Sequence, residues 1–135
     1  MANILSQTTI TTAVTSALSP VITFSRQPPR RATFQANFVY GSNGTNVTAY
    51  VQTSFDGGST WSDIACFQFT TSSARKAANL SSATPVTTLA SLTDGSLTAN
   101  TCVDGLIGDR IRVKYSSTGT YAGSTSLQID GSFGF

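Results

Sequence analysis

The sequence predicts an all-β protein: an antiparallel β-sandwich of jelly-roll or immunoglobulin-like type with an extended N-terminal arm. Three observations predict this class. Alternation of apolar and polar residues with period two recurs along the chain, no segment carries a sustained helical stripe, and glycine-rich turns separate the alternating runs. A chain of 135 residues is the size of one ordinary domain. We therefore expect one core between two sheets over residues 21–135, preceded by an arm over residues 1–20.

The clearest predicted strand covers residues 32–40, where Ala32, Phe34, Ala36 and Phe38 fall on one face. A second clear case is 110–115, in which the apolar side chains alternate with basic ones that face solvent. We expect residues 124–129 to pair with 110–115 across the turn between them. The same pattern predicts strands over 47–55 and 61–69, and weaker ones over 21–25, 74–80 and 86–92.

The first 20 residues differ from the rest because they are apolar enough to bind a surface and too rich in Ser and Thr to form a core alone. Pro28 and Pro29 separate this stretch from the first clear strand. Such an arm can add a strand to a neighbouring subunit. The alternative is that it folds back onto its own sheet.

The stretch SFDGGSTW lies between two predicted strands and matches the pattern S-x-D-x-G-x-T-W, called the Asp-box. Adjacent glycines supply the positive φ that a tight hairpin requires. The carboxylate is expected to accept hydrogen bonds from the turn backbone, and the tryptophan to cover the turn. This pattern recurs in sialidase propeller blades, but one copy excludes a propeller. A structural role is therefore predicted for Ser54, Asp56, Gly57, Gly58, Thr60 and Trp61.

The composition argues against an enzyme, because the chain contains neither histidine nor glutamate and has only six aspartates. Acid-base catalysis near neutral pH has few groups to use, and glycosidases need paired carboxyl groups. We expect neither a cofactor nor a metal site, nor a small-molecule substrate. Cys66 and Cys102 lack an imidazole base and are expected to be reduced packing residues, although the sequence leaves open whether they approach each other.

The formal charge of +2 arises from three basic groups around residues 26–31, 75–76 and 110–114. Nucleic-acid binding would require more basic residues, so we do not expect it. No stretch is apolar enough for a membrane span, and the N-terminus does not resemble a signal peptide. We therefore expect synthesis in a cytoplasm without membrane association.

Residues 47–69 (VTAYVQTSFDGGSTWSDIACFQF) and 105–127 (GLIGDRIRVKYSSTGTYAGSTSL) resemble small structural proteins of tailed bacteriophage virions. The resemblance implies a non-enzymatic all-β protein that is made in the host cytoplasm and assembles into the virion. Within that group, small size suggests a capsid decoration or cement protein. It would bind the major capsid protein at the capsid surface, as a homo-oligomer, dimer or trimer, and stabilise the head.

The resemblance leaves two alternatives. One is a neck, tail or head-fibre component of the virion. The other is a carbohydrate-binding adhesin, whose stacking platform would use Tyr50, Trp61, Tyr115 and Tyr121. For the cement interpretation, the predicted assembly contacts are Ile4, Leu5, Ile10, Val14, Arg26, Arg30, Arg31, Phe133 and Phe135.

Overall fold

The computed structural model describes residues 2–135, and within that range every regular element is a β-strand. This confirms the predicted all-β class. The strands are β1 (Ala2–Thr9), β2 (Val14–Leu18), β3 (Ile22–Thr23), β4 (Arg31–Val39), β5 (Ser42–Asn43), β6 (Asn46–Ser54), β7 (Ser62–Phe69), β8 (Ala74–Ser81), β9 (Arg110–Thr118), β10 (Tyr121–Ala122) and β11 (Ser126–Gly134).

The long strands form two antiparallel sheets. The first has the order β1-β11-β4-β8, and the second has the order β2-β9-β6-β7 with β3 also paired to β9. The short strands β5 and β10 pair at one end. The antiparallel β-sandwich predicted from the alternation is therefore confirmed.

The core lies between the two sheets and follows the predicted alternation. Phe34, Phe38, Val51, Ile111 and Ile129 are among its fully buried side chains. The clear period-two runs became strands at nearly the predicted bounds (β4, β6, β7 and β9), and the weaker prediction over 74–80 became β8. The prediction over 21–25 contracts to the two residues of β3.

The predicted boundary at residue 20, between an arm and the sandwich, is wrong for the part of the arm that the structure describes. β1 pairs with β11 in the first sheet and β2 pairs with β9 in the second, so residues 2–18 belong to the sandwich. Residue 1 lies outside the described residues. The chain follows the alternative in which this segment folds back on its own sheets. Register shifts within β1 hid its strand character, because such irregularities interrupt the alternation and here allow the adjacent Ile4 and Leu5 both to be buried.

Two further predictions were wrong. β11 pairs with β1 and β4 instead of β9, because the chain passes through β10 and crosses to the other sheet. No strand forms over 86–92. Residues 82–109, all of which the structure describes, contain no regular strand, and their β-pairing is limited to an isolated bridge between Cys102 and Ala65. We call residues 82–109 the covering segment, because part of it lies over the outer face of β6 and β7.

Candidate assembly surface

The SFDGGSTW stretch forms the turn between β6 and β7, as predicted. The Asp56 carboxylate accepts hydrogen bonds from the Thr60 backbone N–H at 2.8 Å and the Thr60 hydroxyl at 2.6 Å. The Ser54 hydroxyl accepts a 2.8 Å hydrogen bond from the Gly58 N–H. The Trp61 indole N–H donates to the Gly58 carbonyl at 3.2 Å. All of these bonds remain within the turn, so each side chain serves the local structure.

These hydrogen bonds stabilise the ionised form of Asp56. Donation from the Thr60 hydroxyl and backbone, with smaller contributions from Ser54 and Ser59, lowers the pKa of Asp56 from 3.8 to about 2. A low pKa in a carboxylate surrounded by donors is the signature of a structural acceptor. A general acid would need the opposite shift.

A second cluster fixes the covering segment against the outer face of the second sheet. The buried Asp63 carboxylate accepts backbone hydrogen bonds from Gly95, Ser96 and Leu97 at 2.8 to 3.1 Å. The Thr93 hydroxyl donates to it at 2.8 Å. Successive N–H groups around a residue of positive φ make an anion-binding concavity, and Gly95 has φ of 91°. Asp63 thus supplies an internal anion that orders residues 93–97.

Charged side chains extend this cluster toward solvent. Lys114 approaches the Asp94 carboxylate to 2.9 Å and Arg112 approaches it to 4.0 Å. The Arg112 guanidinium also lies 4.2 Å from the Trp61 ring centroid, in a cation–π contact. Burial opposes ionisation of Asp94, but hydrogen bonds from Lys114 and Gln52 outweigh it and lower the pKa of Asp94. This cluster was not predicted from the sequence, where its only signal is an acidic residue inside a predicted strand.

Once part of the covering segment is fixed, another part presents apolar side chains to solvent. Leu89 is 99% exposed, and Leu92 and Val86 are about half exposed, as is Phe55 of the turn between β6 and β7. They line one shallow depression, which we call the apolar groove: Phe55, Val86, Leu89, Ala90, Leu92 and Leu106. Clustered exposed apolar side chains mark interaction surfaces, whereas single ones are ordinary.

The apolar groove continues into a second depression through Phe55. That depression also includes Phe24, Arg26, Ile107 and Asp109. Beyond it lies what we call the aromatic cleft, lined by Thr23, Phe24, Ser25, Arg26, Gln27 and Phe135. The apolar groove and the aromatic cleft are therefore connected through a depression that is lined largely by polar groups, including Ser25, Arg26 and Gln27.

The predicted assembly contacts divide into two groups. Arg26 and Phe135 line the aromatic cleft, Phe133 packs beneath it against Phe24, and Arg30 and Arg31 are exposed nearby. Ile4, Leu5 and Ile10 are instead buried in the chain's own core, and Val14 lies in β2 of the second sheet. For Ile4, Leu5 and Ile10 the expected contact with a partner is corrected, because their side chains already face the sandwich interior.

The four aromatic residues proposed for a sugar platform are not arranged as one. Tyr121 is fully buried, and its hydroxyl donates to the Thr70 carbonyl at 2.7 Å. Trp61 lies beneath Arg112, and Tyr115 packs against the core. Only Tyr50 remains, half-buried on the outer face of β6.

Cys66 and Cys102 are free thiols, the first buried and the second exposed. Both border a cleft of about 380 Å³ that also contains Lys76 and Asn100. Lys76 donates to the Asn100 side chain at 2.9 Å and lies 4.9 Å from the Phe69 ring centroid. Lys76, on β8 of the first sheet, therefore contacts both the covering segment and β7 of the second sheet.

Residues 2–135 contain no group of three or more Cys, Asp, Glu or His side chains arranged to hold a metal ion. A search of that same range for a helix long and apolar enough to cross a membrane finds none. No protein-family model, curated protein or solved structure matches the chain. The surface described above is therefore the basis for a functional proposal.

Proposed function

We propose that this protein is a non-enzymatic structural component of a tailed-phage virion. Specifically, it is a capsid decoration or cement protein that binds the major capsid protein on the outside of the shell and stabilises the head. The sequence resemblance of residues 47–69 and 105–127 suggests the virion. The surface chemistry of the folded chain supports a role in binding another protein.

The observation that carries the proposal is the apolar groove. The chain is rich in Ser and Thr, which could occupy exposed positions. Four apolar residues are nevertheless exposed together: Phe55, Val86, Leu89 and Leu92. Leaving a fully exposed side chain such as Leu89 in water forgoes roughly 1.5–3 kcal/mol that burial would provide, and the half-exposed side chains forgo about half as much. Burial against a partner recovers that free energy, so a protein surface is the natural occupant.

The strand path supports a particular kind of sandwich. The long strands alternate between sheets along the chain: β1 in the first, β2 in the second, β4 in the first, β6 and β7 in the second, β8 in the first, β9 in the second and β11 in the first. Eight strands following two Greek-key paths describe a jelly roll, a scaffold used in viral capsid domains. We propose the jelly-roll form of the predicted sandwich on this basis.

The test is a count of bound copies on assembled capsids of the phage that encodes the chain. A cement protein saturates at hundreds of copies per particle, since shells contain that many equivalent sites. The double variant Leu89→Asp with Leu92→Asp is expected to weaken binding by at least about tenfold, which is typical for loss of central apolar contacts.

The matched control is Leu18→Asp. Leu18 is 54% exposed, close to the exposure of Leu92, but it lies on β2 and does not line the apolar groove. It should bind as the unmodified chain does. Absence of capsid binding by the unmodified chain would overturn the proposal, and saturation at a few or tens of copies would indicate a neck, tail or fibre component. Retention on immobilised glycans without capsid binding would favour an adhesin.

A further inference from the structure

The two main sheets have four edge strands, and three of these edges are irregular or covered. The edges formed by β1 and β2 are interrupted by register shifts against their neighbours, and such irregularities hinder further pairing. The edge formed by β7 is covered by residues 100–103 of the covering segment. There the Cys66 N–H donates to the Thr101 carbonyl at 2.9 Å, and the Gln68 N–H donates to the Asn100 side chain at 3.1 Å.

The fourth edge, β8, is regular over its whole length. All eight of its residues, Ala74–Ser81, pair with β4 without a register shift, and none of them is proline. A regular edge strand presents a row of N–H and C=O groups to which another strand can pair. β8 is therefore the edge at which pairing can continue beyond this chain.

The backbone groups that face outward from β8 can be identified from two hydrogen bonds at its end. In an antiparallel strand, the N–H and C=O groups of successive residues point to alternate sides. The Ser82 N–H donates toward β4, to the Arg30 carbonyl at 2.8 Å, whereas the Ser81 N–H points the other way and donates to the Asp104 carboxylate at 2.7 Å. By this alternation, three exposed residues direct their backbone groups away from β4: Arg75, Ala77 and Asn79. Within residues 2–135, no hydrogen bond engages these groups.

A cleft opens beside this edge. It is the cleft of about 380 Å³ that Cys66 and Cys102 border, and residues 76–79 of β8 form one of its walls. We call it the edge cleft. The two cysteines, Phe67 and Ala78 make much of its lining apolar. An apolar side chain that points inward from a strand added to β8 would therefore be shielded from water there.

Lys76 is the charged residue of this lining, and the chain itself holds its ammonium group. An inward-pointing lysine on an edge strand can oppose pairing, because a partner strand would bury its charge. Here Nζ donates to the Gln68 carbonyl and to the Asn100 side chain. The ammonium group is thus directed toward β7 and the covering segment, away from the outward backbone groups of β8.

Residues 100–102 limit what can pair with β8. They lie one strand beyond β7, since the bridge between Cys102 and Ala65 extends the second sheet. β7 itself lies across the sandwich from β8, because Lys76 Nζ is 4.9 Å from the Phe69 ring centroid. A second copy pairing through its own β8 would have to place its β7 where residues 100–102 of the first copy already lie. A single extended segment brings no second sheet and meets no such obstacle.

We infer that β8 accepts an extended segment of a partner protein as an additional antiparallel strand, with alternate apolar side chains of that segment in the edge cleft. The free backbone groups of Arg75, Ala77 and Asn79 pair with the backbone of the segment. Main-chain hydrogen bonds of this kind provide affinity, and the pockets for alternate side chains provide specificity. Every ladder in the sandwich is antiparallel, and Ala78 is small enough to leave space for a larger apolar neighbour. This inference deepens the proposed function and rests on it for the identity of the partner as a virion protein.

The experiment measures binding of a fluorescent peptide in which valine alternates with serine, with glutamates at both ends for solubility. When the valines enter the edge cleft in antiparallel pairing, the serine N–H groups face β8 and the valine N–H groups face solvent. N-methylation of the serines should therefore weaken binding by the full chain at least about tenfold. N-methylation of the valines is the matched control and should leave affinity within about twofold.

The informative variant of the protein is Ala77→Pro, which removes the central outward N–H of β8. That N–H makes no bond to β4, and proline is tolerated on an edge strand where the missing donor faces solvent, so the fold should be retained. Peptide affinity should fall at least about fivefold. The matched control is Ala77→Val, which keeps the N–H and should bind as the unmodified chain does. Urea unfolding checks that both variants are folded.

Amide hydrogen exchange of the unmodified chain gives a second measurement that needs no variant. The N–H groups of Arg75, Ala77 and Asn79 should exchange rapidly in the free chain and at least about tenfold more slowly with the peptide bound. Exchange that the peptide leaves unchanged would overturn the inference, as would equal binding of the two methylated peptides or unchanged affinity in folded Ala77→Pro. Protection that rises with protein concentration in the absence of peptide would overturn it in favour of a second copy.

The two proposals fail separately. Saturable capsid binding that is unchanged in folded Ala77→Pro would overturn the strand-addition inference and leave the cement proposal intact. Peptide binding that depends on the Ala77 N–H, combined with no capsid binding, would overturn the cement proposal alone.

Discussion

Gln52 and Asp63 lie opposite each other on β6 and β7, and the Gln52 side-chain amide donates a 2.8 Å hydrogen bond to the Asp63 carboxylate. Both side chains are buried although they point away from the sandwich core. They are buried because the covering segment lies over them. The Gln52 amide also donates to Asp94, and its carbonyl accepts from Arg112 at 2.8 Å. This pair therefore connects the sheet to the segment that carries most of the apolar groove.

Replacing Asp63 should release the covering segment. In Asp63→Ala, the backbone N–H groups of Gly95, Ser96 and Leu97 lose their acceptor, and the expected loss of unfolding free energy is about 3 kcal/mol. Hydrogen exchange should accelerate over 93–103 before the rest of the sandwich. Asp130→Ala is the control, because its partners are part-exposed amide side chains, and it should change stability by less than about 0.5 kcal/mol. Equal effects of the two substitutions would contradict the assigned role.

The Asp56 turn should give acid sensitivity of known sign. Its pKa in the folded chain is about 2, below the ordinary 3.8, so the turn's contribution to stability is present above that ordinary value and is lost as pH falls toward 2. Urea unfolding of the unmodified chain and of Asp56→Ala should therefore differ at pH about 5 and converge near pH about 2. A difference that stays constant across this range would show that the ionised carboxylate is not responsible.

The same turn offers a direct test of cause. Thr60→Val removes the hydroxyl whose hydrogen bond contributes most to lowering the Asp56 pKa. The carboxyl resonance of Asp56, followed by NMR through an acid titration, should then show a pKa closer to 3.8. A titration identical to that of the unmodified chain would contradict the assignment.

What could be predicted from the sequence was local. Phe34 and Phe38 alternate with polar neighbours, so β4 and its buried face followed from period two, and the paired glycines of SFDGGSTW marked their turn. The β1 strand was not predicted, because the adjacent Ile4 and Leu5 are both buried where the register shifts, which interrupts the alternation.

The candidate surface depends on contacts between residues far apart in the sequence, so the fixing of the covering segment and its exposed apolar residues were not predicted. Nothing near Asp63 in the sequence indicates that its carboxylate accepts hydrogen bonds from backbone N–H groups some thirty residues later. The apolar residues around Leu89 were predicted to form a strand, but in the structure they pair with no strand and face solvent. Arg26 and Phe135 were predicted as assembly contacts from charge and position alone, and the structure places both of them at the aromatic cleft.

Gly108 is required where the covering segment returns to the sheet. A Cβ on this residue would lie 2.0 Å from the Ser54 carbonyl oxygen and 2.7 Å from its carbon, which are backbone atoms that cannot move aside. Gly108→Ala should therefore cost about 3 kcal/mol of unfolding free energy. Gly57→Ala is the matched control, since Gly57 has φ of 74° but no atom within 3.8 Å of its Cβ position, and backbone strain alone costs about 1 kcal/mol. Urea unfolding of both variants should give that order, and the reverse order would be inconsistent with the close approach.

The two thiols should report opening of the covering segment. Cys66 is 2% exposed, its backbone N–H donates to the Thr101 carbonyl at 2.9 Å, and burial raises the pKa of its thiol. Because the thiolate is the reactive form, alkylation by iodoacetamide should modify the exposed Cys102 first and Cys66 about a hundredfold more slowly. Mass spectrometry of Cys66→Ser and Cys102→Ser variants assigns each modification. In Asp63→Ala the Cys66 reaction should accelerate while that of Cys102 stays nearly unchanged, because only Cys66 depends on the covering segment for protection. Unchanged Cys66 reactivity in that variant would mean that residues 100–103 are held to β7 independently of Asp63.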